Sequence, residues 1–159
     1  MRFFIVIISI ALLVSVSTGC NKNLFSDGET MNSTSEIQYI NELFGIDLSA
    51  DCYVQDKTVK YHDDHDGAFW AKVVVTKDVF EEFSPADYMD VDDYTLDDAW
   101  YVLSEFETDE DIENLKIHKF YLRWSLETVE DINYQTTREI ILTNNDGNYC
   151  IYFFSTLCK

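Results

Sequence analysis

An α+β fold, with helices on one face of a roughly five-stranded antiparallel sheet, follows from three patterns in the sequence. Apolar residues recur at helical spacing in two places: Ile37, Ile40, Leu43 and Phe44, and then Leu96, Ala99, Trp100, Leu103 and Phe106. Period-two alternation fills the remainder, as one pair of runs in the first half and three runs at the C-terminal end. Most of these runs are joined too closely for the long crossover that a parallel pair requires, so the strands are antiparallel.

The first helix opens at Ser33, where Ser33 and Glu36 stand at capping-box spacing, and closes at Gly45, where a left-handed residue belongs. Residues 52–61 form a strand with Tyr53, Val59 and Tyr61 on one parity. Residues 67–76 form the next, with Phe69, Ala71, Val73 and Val75 on one face and Trp70 and Val74 on the other. Together they predict a hairpin. Residues 116–127 alternate so that Phe120, Leu122, Trp124 and Leu126 face inward, while Lys119, Tyr121, Arg123 and Glu127 face outward; His118 lies at the core edge. Residues 136–143 and 149–157 complete a three-strand meander across Asp146-Gly147, a strong hairpin-turn dipeptide. That loop also has the look of a calcium loop, but Leu142 fills the first ligand position and the downstream Glu is missing, which leaves a turn.

Net charge is −19, and no basic residue falls between Lys77 and Lys116. Much of that acidic run is helix punctuation. Thr95 with Asp98, and Thr108 with Asp111, stand at N-cap spacing, Asp78 precedes an apolar turn, and Pro85 occupies a first helical position. Such acidity excludes nucleic acid and anionic lipid head groups as partners, and it suits a cationic protein or peptide. Glycine is scattered, so no phosphate cradle exists, and neither a nucleophile elbow nor a zinc-protease helix is present. The expectation is a non-enzymatic binding domain; a hydrolase acting on envelope polymer is the remote alternative.

The N-terminal residues 1–20 have one cation, Arg2, and an apolar run from Phe3 to Val16. That run is shorter than the ~20 residues a membrane helix needs, and it fits a secretory signal. Ending in Ser17-Thr18-Gly19-Cys20, the segment resembles a bacterial lipoprotein signal peptide, although Leu is usual three residues before the Cys. The resemblance implies acylation of Cys20, with palmitate or a similar chain, and display on the outer face of the cytoplasmic membrane. Residues 21–35 read as a flexible tether and residues 36–159 as one globular domain. The domain also resembles small uncharacterised exported lipoproteins of Gram-positive bacteria, through Leu43-Phe44-Gly45-Ile46-Asp47-Leu48 and Asp64-His65-Asp66-Gly67-Ala68-Phe69. Asp66 and Ala68 stand where that group more usually has glycine, and the resemblance lends no activity.

Two side-chain constellations remain. His62, Asp64, His65 and Asp66 place imidazole and carboxylate in one loop, a donor set suited to a transition metal. However, His62 and His65 are three apart, which points to opposite faces of a strand, and Asp66-Gly67 is good turn chemistry. A polar hairpin turn is the preferred reading; a metal-binding lipoprotein is the alternative, and no other cofactor is expected. With Cys20 lipidated, Cys52, Cys150 and Cys158 remain. Cys150 and Cys158 lie in one strand, about 26 Å apart, so a disulfide joins Cys52 to one of them or none forms. The domain is expected to be a monomer.

Overall fold

The computed structural model describes residues 33–63, 66–129 and 132–158. Four helices and six strands follow in the order α1 (Ser33–Phe44), β1 (Tyr53–Asp63), β2 (Asp66–Val74), α2 (Lys77–Glu82), β3 (Met89–Asp90), α3 (Leu96–Leu103), α4 (Asp109–Asn114), β4 (Ile117–Val129), β5 (Ile132–Asn145) and β6 (Asn148–Cys158). The strands form one antiparallel sheet in the order β1-β2-β6-β5-β4-β3. The expected hairpin and meander are therefore both present, and the meander joins the hairpin through β6. The sixth strand, β3, is a two-residue segment that pairs with Tyr121 and Leu122.

The sheet is covered on both faces, not on one. Against the first face, Ile37, Ile40 and Phe44 of α1 and Phe80 of α2 pack on Phe69, Ala71, Val73, Ile140, Ile151 and Phe153. Against the second, Ala99, Val102 and Leu103 of α3 and Ile112 of α4 pack on Trp70, Ile141, Tyr152 and Phe154. The central strand β6 thus buries residues of both parities from Cys150 to Ser155, as a strand between two helix layers must. The acidic segment makes this possible. It leaves β2 as α2 on one face, passes the outer edge of β4 as β3, and returns as α3 and α4 on the other face.

Local chemistry explains the element ends. Gly45 takes φ +65°, and the Ile46 N–H donates to Asn41 O at 3.1 Å, the long bond of a Schellman closure. The Asn41 side chain then holds Leu48 by both its backbone groups, at 2.8 and 2.9 Å. Thr95 and Asp98 form a reciprocal capping box, and the Thr108 hydroxyl accepts from Asp111 N. Asp146 and Gly147 both have positive φ, as a type I′ turn demands. Two helix starts differ from expectation. α2 is capped by Thr76, with Asp78 inside its first turn. Pro85 starts no helix; residues 84–88 turn directly into β3.

Two bulges alter the expected parities. A register shift between Val54 and Asp56 lets both Val54 and Val59 face α1, while Tyr53 is exposed. A second shift between Ile117 and Lys119 makes His118 the extra residue. It is exposed with its ring 5.4 Å from that of Phe80, and so is not the core-edge residue expected. After this shift Tyr121 is buried, since its face too has a helix layer. Trp124 and Leu126 keep the predicted parity with Phe120, yet they are 61% and 81% exposed because α3 and α4 do not extend over that end of β4.

Candidate binding surface

The Tyr61–Gly67 stretch closes a hairpin in which Asp63 pairs with Asp66. Asp64 and His65 lie outside the described residues, as do the side chains of His62 and Asp66, and Cys20 lies outside them as well. Among the described residues no group of three or more metal-ligating side chains converges. The three remaining cysteines are free thiols. Cys52 packs with α1 and Cys150 with α3, on opposite faces of the sheet, while Cys158 ends β6 at the far end. The bridge from Cys52 to Cys150 or Cys158 is therefore not formed, because the sheet or its full length separates the partners. Burial raises the pKa of both buried thiols, Cys52 and Cys150, which keeps them protonated and unreactive.

Charged groups reach the interior at three places, none apparent from the sequence. Lys72 and Glu107 pair at 2.5 Å on the α3 face, where the Tyr152 hydroxyl donates to Glu107 at 2.6 Å. Arg138 pairs with Glu127 at 2.6 Å on the α1 face and donates to Ser125 at 3.2 Å. Glu139, on the α3 face, has its pKa raised, mainly by burial and further by the charge of Asp98, against the lowering effect of a bond from Tyr101. Its Oε2 has no hydrogen-bond partner. Tyr88 lies beside Arg123, donates to Phe44 O at 2.9 Å, and has its pKa pushed up to about 12, chiefly by burial. These are separate clusters, in which Glu139 Oε2 and Arg138 Nε lack a partner, and they do not bring an acid, a base and a nucleophile together.

Two exposed features stand out. The first is electrostatic. Seven of the eight Lys and Arg side chains among the described residues are held in ion pairs, with Glu36, Glu81, Asp87, Asp90, Glu105, Glu107 and Glu127. The carboxylates along α3 and α4, such as Asp92, Asp93, Asp97, Asp109, Glu110 and Glu113, are exposed. The second is the outer edge of β4. β3 covers it only at Tyr121 and Leu122. Val91 N–H donates to Phe120 O at 2.9 Å on that side, so the even-numbered residues of β4 turn their backbone groups away from β5. Trp124, Leu126 and Thr128 therefore present N–H and C=O groups to a side on which no described strand lies. A cavity of about 540 Å³ between Gly45–Ser49 and the segment after α2 is open to solvent and brings no buried charge to its wall.

Fold and surface together define an antiparallel sheet with a helix layer on each face, an acidic flank and, among the described residues, an uncovered apolar stretch along the outer edge of β4. No protein-family model, curated protein or solved structure matches this chain.

Proposed function

We propose that the protein is a lipid-anchored, extracytoplasmic binding domain, non-enzymatic, whose acidic surface receives a cationic protein or peptide. The observation that carries the reading is the near-complete use, among the described residues, of basic side chains in ion pairs within the chain. The remaining carboxylates are left to attract external cations, and such a field raises encounter rates and suppresses anionic partners. Anchoring rests on the signal-like N-terminus and Gly19-Cys20. With α1 starting at Ser33, a tether of about 12 residues, 21–32, holds the domain roughly 20 Å from the lipid, beyond the ~8 Å over which anionic head groups act at physiological salt.

Two measurements test the two halves separately. In cells fed labelled palmitate, the full chain takes up label and Cys20→Ser does not; equal labelling of both removes the anchor. In calorimetric titration, a lysine-rich peptide binds the purified chain and weakens steeply between 50 and 300 mM salt, whereas a glutamate-rich peptide of equal length gives no heat. Absence of binding by the lysine-rich peptide at low salt removes the cationic partner.

A further inference from the structure

The sheet ends at β1 on one side and at β4 with its two-residue cover β3 on the other, and these two long strands are protected differently. β1 carries Lys57 and Lys60 along its length and has register shifts after Val54 and after Tyr61. Lysines and bulges are standard ways in which an edge is kept from pairing with another strand. The stretch from Arg123 to Val129 in β4 has no lysine and no shift; the single shift of β4 precedes Lys119. Among the described residues no strand pairs with its outward backbone groups, and its two large apolar side chains are exposed.

We propose that this stretch is the interface of a homodimer in which β4 pairs antiparallel with β4 of a second copy, joining two six-stranded sheets. A second copy fits because the stretch complements itself. The free edge runs from Arg123 to Val129, so a two-fold axis that pairs all of it passes through Leu126. Leu126 then faces the partner's Leu126, and Trp124 faces the partner's Thr128 with the partner's Leu126 on its diagonal. Cross-strand diagonals are within reach of long side chains. On the opposite face the same register sets Arg123 diagonal to the partner's Glu127, an opposite charge. The bonds that Arg138 and Ser125 donate to Glu127 both end on Oε1, and Arg123 meets Asp87 only at 4.0 Å. The hydrogen-bond parity agrees. An axis at Leu126 pairs even residues with even residues, and those are the ones whose backbone groups point outward. The paired stretch stops where β3 begins. An extended cationic peptide would suit this edge less well, since it would meet Arg123.

The net charge of −19 opposes association at long range, so the dimer strengthens as salt rises toward physiological strength. The test uses the full chain with the exposed Cys158 replaced by Ser. Leu126→Cys, at a hydrogen-bonded pair with Cα atoms about 5.5 Å apart, lies within disulfide reach of the partner's residue 126. Oxidation of intact cells yields a disulfide-linked dimer from this variant and none from Tyr53→Cys on the other edge. No dimer from Leu126→Cys, or equal amounts from both, overturns the proposal. Independently, the purified chain sediments as a dimer in detergent at 150 mM salt, and Trp124→Lys sediments as a monomer with an unchanged circular dichroism spectrum. A parent chain that sediments as a monomer throughout overturns it as well.

Discussion

At Glu139 a carboxylate sits against the sheet with one oxygen accepting no bond, and burial raises its pKa above the ordinary carboxylate range. The folded state thus favours the protonated form. The ionised form costs stability above the folded pKa, and that cost vanishes below the unfolded value of about 4.3. Glu139→Gln is therefore expected to raise the melting temperature at pH 7, with the gain shrinking toward pH 4; a gain independent of pH would contradict the assignment. Asp98 works in the opposite sense. Bonds from the Thr95 backbone and hydroxyl lower its pKa, so its contribution is present above its unfolded pKa and is lost as pH falls through the folded one. Gly45 makes a different residue-scale demand. A Cβ there would meet Arg123 Nη1 at an ordinary 3.5 Å, so space is not limiting. The φ of +65° lies in the left-handed region, which strains any side chain with a Cβ, and Gly45→Ala is expected to cost about 1 kcal/mol in chemical denaturation.

Among the elements, the short acidic helices depend on their caps more than on length, since six to eight residues cannot sustain a helix alone. Thr95→Ala removes the hydroxyl that accepts from Asp98 N and is expected to lower stability by ~1 kcal/mol. Urea denaturation measures it, and an unchanged midpoint would mean α3 is held by Ala99, Val102 and Leu103 alone. Caps and turns were the most legible part of the sequence, because Thr95, Thr108, Gly45 and Asp146-Gly147 act through local geometry. Parity was less so. The shifts at Gln55 and His118 leave no mark in the residue pattern; the first takes Tyr53 off the face of Val59, and the second takes His118 off the core edge. Trp124 and Leu126 were readable as one face of β4, but whether a face is roofed depends on where α3 ends. The Glu139 and Arg138 sites depend on strands that pair across the sheet, and no spacing within one strand announces them. Pro85 shows the reverse error: its fixed φ suits a first helical turn and equally the turn into β3.

On the scale of the whole molecule, one strand joins everything. β6 lies between β2 and β5 and buries residues against both helix layers. Phe153 touches Phe44 ring to ring, 5.0 Å between centroids, and Phe154 lies 5.1 Å from Trp70. Phe153→Ala is expected to cost 3–5 kcal/mol, as truncation of a fully buried aromatic does. A loss below 1 kcal/mol in guanidinium denaturation would show that this centre is not tightly packed. Net charge acts on the same scale. With most cations already paired, surplus carboxylates repel one another across the surface, and added salt is expected to raise thermal stability until the repulsion is screened.

The position of β6 has a consequence in time. Residues 148–158, made after every other described strand, form the one that the β1–β2 hairpin must wait for, because β2 has no other inner neighbour among the described strands. A two-stranded hairpin is marginal by itself in water. Order of synthesis and order of assembly therefore run against each other, and the hairpin lacks its inner neighbour until β6 is available. That is the state required of a polypeptide being threaded through a narrow pore.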